Sequence, residues 1–235
     1  MTVSAIIVAA GSGVRMKSDR PKQYLELGGM PLVSRTLKVF DDHPAVENLF
    51  LVVPAADFAF CRSEILSAVP WKKTIHLVPG GKRRQDSVHE GLKAAARYAG
   101  AGEIVLIHDG VRPFVPPDMI TACIACAKES GACILGVPAS DTLKRVDAGG
   151  VVFGTLSRET VWLAQTPQAF SLDLITAAFE HAAEMDFSAT DDAAVVEFYG
   201  RPVRVIPGSR RNIKITTPED LDFALALLRL AGEMP

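Results

Sequence analysis

Gly11-Ser12-Gly13 closes the apolar run Ile6 to Ala10 and is followed by four cations, Arg15, Lys17, Arg20 and Lys22. Small residues at a strand end let backbone N–H groups approach phosphate oxygens, and the cations add mobile charge. Two standard phosphate loops do not fit. The GxxxxGK[ST] spacing of a P-loop is absent, and a GxGxxG dinucleotide loop needs glycine where Met16 stands. The second apolar run, LFLVVP, also ends without the acidic residue that holds a ribose. P-loop hydrolysis and NAD-dependent hydride transfer are therefore disfavoured. Pro21 restricts the backbone before Lys22 and favours an extended segment that can fold over a ligand.

The same kind of residue recurs further along. PGGKRRQDS (Pro79 to Ser87) carries two glycines and three consecutive cations, and HDGVRP carries Asp109 and Arg112. Asp141-Thr142 precedes Lys144 and Arg145, and GSRRNIKIT holds Arg210, Arg211 and Lys214. Singly, each cation reads as a solvated surface charge, Gly80-Gly81 as a turn, and Asp109 as the cap of one. Jointly they say more, because each segment follows an apolar run of strand length. In an open parallel sheet, ligands bind at the carboxyl ends of the strands. The pattern points to one sheet edge built for a ligand with several phosphates.

The elements that must position these residues alternate in type. Strands are expected at Ser4–Ala10, Leu49–Val53, Thr74–Val78, Ile104–His108, Cys133–Val137 and Val203–Ile206. Amphipathic segments separate or follow them at Pro31–Phe40, Ala55–Val69, Gln85–Tyr98, Pro117–Ser130, Leu172–Met185 and Asp191–Tyr199. A last helix is marked by Thr217 as cap, Pro218 in its first turn, and Glu219 and Asp220 at its positive end. Strands joined by such helices imply βαβ crossovers and a mainly parallel sheet covered on both faces. One region breaks the rhythm. Thr142–Val146 and Val151–Leu156, joined by Asp147-Ala148-Gly149-Gly150, form a hairpin signal within an α/β domain. A projecting hairpin with Phe153, Thr155 and Trp162 needs a surface to pack on, either a second subunit or its own sheet.

Composition bounds the rest. The chain has 235 residues, 49% of them hydrophobic, enough to bury a substantial core in one large domain or two small ones. A net charge of −2 excludes a general polyanion binder, so no nucleic-acid partner is expected and any basic function is local. No run approaches the roughly 20 apolar residues that cross a bilayer, and the first apolar run is too short for a secretion signal. A cytoplasmic protein without a membrane partner is the expectation. Cys123 and Cys126 sit on the apolar face of an expected helix, where they read as small buried hydrophobes rather than metal ligands.

AAGSGVRMKSDRPKQY, GGKRRQDSV, HDGVRPFV, DTLKR, WLAQTPQAF, TDDAAVVE and NIKIT, in that order, resemble the 2-C-methyl-D-erythritol 4-phosphate cytidylyltransferases over nearly the whole chain. The resemblance implies one Rossmann-like nucleotidyltransferase domain over residues 1–235, with residues 139–160 inserted as a β-hairpin dimerisation arm. It implies transfer of CMP from CTP to 2-C-methyl-D-erythritol 4-phosphate, with pyrophosphate released and Mg²⁺ or another divalent cation as the metal. By the same resemblance, Ala9, Ala10, Gly11 and Gly13 hold CTP through their backbone, with Gly81 and Ser87 near the cytosine and ribose. Arg15 and Lys22 grip the triphosphate and stabilise the transition state, Asp109 binds Mg²⁺, and Lys214 reaches the α-phosphate. Arg112 and Thr142 contact the polyol phosphate, and Arg158 and Thr166 reach that of a neighbouring subunit in a homodimer. Two departures stand out. The family commonly has His-Asp-Ala-Ala-Arg-Pro where this chain has His108-Asp109-Gly110-Val111-Arg112-Pro113, and an acidic residue where Lys82 stands. The nearest alternative is the related ribitol 5-phosphate cytidylyltransferase, and a non-catalytic nucleotide-binding module is a second.

Overall fold

The computed structural model describes residues 2–11, 20–100 and 102–233. The first half of the chain runs β1 (Val3–Val8), β2 (Glu26–Leu27), β3 (Met30–Pro31), α1 (Leu32–Asp42), β4 (Asn48–Val53), α2 (Phe58–Phe60), β5 (Ile75–Pro79), α3 (Arg84–Ala96) and β6 (Ile104–Asp109). The second half runs α4 (Pro117–Ser130), β7 (Ala132–Pro138), β8 (Leu143–Val146), β9 (Val152–Leu156), β10 (Trp162–Ser171), α5 (Leu172–Glu184), α6 (Asp192–Phe198), β11 (Arg204–Pro207) and α7 (Pro218–Leu230).

Seven strands form one sheet in the order β11-β7-β10-β6-β1-β4-β5. All pairings are parallel except those of β10, which runs antiparallel between β7 and β6. The strand period of two explains the two-sided core. Ala5 and Ile7 of β1, with Ile104 and Leu106 of β6, face a cluster that includes Val33, Leu37 and Phe40 of α1 and Ile120 and Cys123 of α4. Ile6, Val105 and Ile107 point the other way, onto Leu92 of α3, Ile175 and Phe179 of α5, and Val195 of α6. Cys61, Cys123 and Cys133 are buried in this packing. The fold is thus the expected α/β, Rossmann-like, mainly parallel sheet with helices on both faces.

Two expectations are corrected. The segment Ala55–Val69 is not one regular helix: a 3₁₀ turn at Ala55–Asp57 leads into α2 and then a π-helical stretch at Cys61–Leu66. There Ser67 donates both its backbone N–H (3.1 Å) and its hydroxyl (2.6 Å) to the Arg62 carbonyl five residues back, which widens the turn. The larger correction concerns WLAQTPQAF, to which the sequence pattern assigns no element. It makes up all but the last residue of β10, a ten-residue strand inside the main sheet. Pro167 argues against a central strand because it cannot donate to the ladder. The sheet accommodates it with an irregularity between Gln165 and Gln168, where the Thr166–Pro167 bond is cis.

Strands β8 and β9 pair antiparallel in a separate two-stranded sheet. Val152 and Phe153 there are 54% and 67% exposed, and Val146, Val151 and Leu163 nearby are also exposed.

Candidate active site

Register puts Gly11, the double glycine and Asp109 at one edge. Val8 lies beside Asp109 across β1 and β6, and Val53 lies beside Pro79 across β4 and β5. The parallel strands therefore all deliver their following loops to the same side. Ala9, Ala10, Gly11, Lys22, Gly81, Lys82, Arg84, Ser87, Asp109 and Lys214 line a cavity of about 300 Å³ there, together with Gln23, Arg83 and Val111. A larger groove of about 580 Å³, between α1, α7 and the Pro113–Pro117 segment, contains none of these residues. Gly13 and Arg15 lie outside the described residues.

Close packing dictates the small residues. A Cβ on Gly81 would stand 2.4 Å from the Asp86 Cβ, and one on Gly80 2.5 Å from the Ala10 Cβ. The Gly81 N–H donates to Ser87 Oγ at 3.1 Å, so the first turn of α3 holds the double glycine against the end of β1. Gly110, one of the departures from the family pattern, would bring a Cβ to 2.9 Å from that of Ala9. Val111, the other, packs in a third small core with Leu27, Leu32 and Ile215.

Asp109 is the electrostatic centre. It is 6% exposed, and three cations converge on its carboxylate: Lys214 Nζ at 2.9 Å, Arg112 Nε at 3.2 Å and Arg84 Nε at 3.3 Å. Burial alone opposes its ionisation, yet Arg84, Lys214 and Arg112 together hold the carboxyl well below the usual carboxylate range. The chain builds this cluster from three separate segments, those of Arg84, of Asp109 with Arg112, and of Lys214. Ile215 N–H donates to the Val111 carbonyl (3.0 Å), and Arg112 Nη1 donates to the Asn212 carbonyl (2.7 Å), which pins the loop carrying Lys214 beside β6. Buried Asn212 in turn donates from Nδ2 to the Thr166 carbonyl at 2.8 Å.

Thr166 sits in β10, and its hydroxyl oxygen accepts from the Asp109 backbone N–H at 3.1 Å. That hydroxyl also lies 3.0 Å from Nδ1 of His108, whose Nε2 donates to the Arg112 carbonyl at 2.9 Å. Complete burial pushes His108 down to about 4, so the ring is neutral at physiological pH and braces the strand end. Thr166 is thus engaged within its own chain, in the central sheet and not on the hairpin. Arg112 is likewise engaged, with Asp109 and the Asn212 carbonyl. Thr142 and Arg158 are exposed at the base of the hairpin, where Arg158 Nη1 donates to the Ser140 carbonyl at 2.7 Å. Neither lines the cavity.

Two residues of the site are not singled out by the sequence. Arg84 lies within a run of three cations, and Asp192 within TDDAAVVE. In the structure Arg83 turns outward to Asp86, whereas Arg84, the first residue of α3, spans from Asp109 to Asp192. Asp191 and Asp192 divide similarly: Asp191 caps Ala194 N at 3.0 Å, and Asp192 is buried against Arg84. The usable signal is helix-start chemistry, since the residues opening α3 and α6 are the ones directed into the site.

Among the described residues no three His, Cys, Asp or Glu side chains cluster as a metal cage. Asp109 is a lone carboxylate in a cavity of phosphate-binding character. That donor set fits Mg²⁺, which is usually held by one or two carboxylates plus substrate phosphates and water.

A profile of the family described as 2-C-methyl-D-erythritol 4-phosphate cytidylyltransferase matches residues 3–230. The enzyme of that name from Geobacter metallireducens is 48% identical over 229 residues, covering 97% of this chain and 98% of its own. Its counterpart in Bacillus licheniformis is 43% identical over 228 residues, covering 97% and 96%. Among solved structures, the 4-diphosphocytidyl-2C-methyl-D-erythritol synthase of Anaerococcus prevotii superposes with a TM-score of 0.83 at 36% identity, covering 97% and 96%. The 2-C-methyl-D-erythritol 4-phosphate cytidylyltransferase of Thermus thermophilus superposes with a TM-score of 0.78 at 33% identity, covering 97% and 100%.

Proposed function

The chain belongs to the 2-C-methyl-D-erythritol 4-phosphate cytidylyltransferase family, and we propose that the cavity around Asp109 is where it performs that family's reaction. The reaction moves CMP from CTP to 2-C-methyl-D-erythritol 4-phosphate and yields 4-diphosphocytidyl-2-C-methyl-D-erythritol and pyrophosphate, a step towards isoprenoid precursors. The ribitol 5-phosphate alternative is not favoured, since the family profile and the relatives named above are methylerythritol phosphate enzymes.

One observation carries the site assignment: three cations from separate segments meet on Asp109 in a cavity that Gly11, Gly81 and Lys22 also line. An oxygen of the 4-phosphate attacks the α-phosphorus, and the bond to the bridging oxygen of pyrophosphate breaks. The nucleophile is already an anion, so no general base is needed. The barrier lies in bringing two polyanions together and in stabilising a crowded five-coordinate phosphorus. Positioning and fixed positive charge meet both demands. Lys22, Lys214 and Arg15 act on the phosphates in this reading. Ala9, Ala10, Gly11 and Gly13 offer backbone to the nucleotide, and Gly81 and Ser87 border the base and ribose. Asp109 holds Mg²⁺, which when bound neutralises phosphate charge.

Arg112, Thr142, Arg158 and Thr166 are proposed for the polyol phosphate side. Thr166 acts there by fixing the Asp109 backbone. The exposed Val146, Val151, Val152 and Phe153 of the hairpin support burial of this arm against a second copy, with Arg158 carried to the partner's site. CTP chemistry and four unpaired cysteines suit a reducing, nucleotide-rich compartment, the cytoplasm.

The testing experiment is a pyrophosphate-release assay across four nucleotides and the two polyol phosphates. Turnover with CTP and the methylerythritol phosphate is expected, and it should vanish on chelation of divalent cations and return with Mg²⁺. Full activity in chelator would remove the metal from the scheme. Arg158→Ala should raise KM for the polyol phosphate about tenfold while leaving KM for CTP alone, the size expected for one lost charge-assisted contact of about 1.4 kcal/mol. An unchanged polyol-phosphate KM would detach the arm from the substrate site.

A further inference from the structure

Arg84 faces two acids at once and treats them unequally. Its Nη1 and Nη2 meet Asp192 Oδ1 and Oδ2 at 3.0 and 2.8 Å, a two-bond fork, while only Nε reaches Asp109, at 3.3 Å. Asp192 is held in place independently of Arg84. Gln168 Oε1 accepts from the backbone N–H groups of Asp192 and Ala193 at 3.1 and 3.0 Å, and Gln168 Nε2 donates to Asp191 Oδ2 at 2.8 Å. The central strand β10 thereby presents the Asp192 carboxylate, 1% exposed, as a fixed receptor for the guanidinium.

The unequal division has a chemical consequence. A guanidinium pairs most strongly with a carboxylate through two parallel N–H···O bonds. Asp109 already receives Lys214 and Arg112 on Oδ2, which leaves Oδ1 with the single Arg84 contact. An Arg84 released from Asp192 is free to turn its fork onto Asp109 and occupy both oxygens. The carboxylate would then have little capacity left for a ligand.

We propose that Asp192 is a positioning residue for the transfer reaction: by capturing the fork of Arg84 it keeps Asp109 open to the magnesium–CTP complex. The proposal rests on the reading of Asp109 as the metal and nucleotide carboxylate. It assigns to TDDAAVVE a role in nucleotide binding through two intermediaries, with no contact to the substrate itself.

The test is titration calorimetry of CTP with Mg²⁺, alongside steady-state kinetics and thermal melts, on full-length variants. Asp192→Asn is expected to weaken magnesium–CTP binding about tenfold and to raise KM for CTP by a similar factor. It should change kcat and the polyol-phosphate KM by less than about threefold, a split that general loosening of the fold would not produce. Adding Asp192→Asn to Arg84→Met, where no fork remains to be captured, should leave CTP affinity within about threefold of that of Arg84→Met alone. That double variant leaves neither charge of the pair behind, so it remains informative if Asp192→Asn alone does not fold. Undiminished binding in a folded Asp192→Asn, or a double variant tenfold or more weaker than Arg84→Met alone, overturns the proposal. Asp109→Asn in the same titration separates the two levels. Unchanged binding there sinks the site reading itself, whereas lost binding there beside a silent Asp192→Asn sinks only the positioning role.

Discussion

Replacing Asp109 with asparagine is expected to lower turnover by about 10²–10³, the usual cost of removing one preorganised electrostatic contact at a reacting phosphate. The same change should be felt in the fold, because the carboxylate is what lets Arg84, Arg112 and Lys214 lie together. Removing one partner of a buried ion pair costs about 3–5 kcal/mol. Here the loss should fall at or below the lower end, because the side chains of Lys214 and Arg84 are 36% and 28% exposed and can relax into water. At about 2–4 °C per kcal/mol for a chain of this size, the melting temperature should drop by roughly 5–10 °C. Calorimetric melts and pyrophosphate release on the same preparation check both halves. A variant that melts lower yet turns over normally would make Asp109 an architectural residue only.

Lys22→Ala should show the opposite division, with turnover reduced by about 10²–10³ and almost no change in melting temperature. The backbone at Lys22 is anchored by its neighbours. Tyr24 is 5% exposed, its hydroxyl donates to Asp57 Oδ2 at 2.9 Å, and the Leu32 N–H donates to the Leu25 carbonyl at 2.9 Å. Truncating the lysine therefore removes a charge from the cavity wall while the turn that presents it stays in place. A purified Lys22→Ala protein with near-normal turnover would remove Lys22 from the catalytic assignment.

Much of this site is legible in the sequence because its parts are local. The strand–glycine junctions at Gly11 and Gly81, and Asp109 at the end of an apolar run, each report a backbone requirement that neighbouring residues reveal. Other parts depend on contacts distant in sequence. Lys82, Arg83 and Arg84 stand side by side, and nothing local separates the outward Arg83 from the inward Arg84. That choice is settled by where α3 starts and by Asp192, at a separation of 108 residues from Arg84. Thr166 shows the same limit. Resemblance places it near a substrate, yet its hydroxyl is tied to the Asp109 backbone by the antiparallel pairing of β10 with β6.

The sequence by itself determined the α/β alternation, the shared carboxyl edge and the polyphosphate character of the ligand, because periodicity and glycine placement are properties of short segments. Only the tertiary structure decided that a proline-containing segment enters the centre of the sheet, and that Arg84 and Asp192 complete the cluster. Strand order and charge pairing are long-range choices. They are set by which buried partners remain to be satisfied once the core has closed, and no local pattern records that.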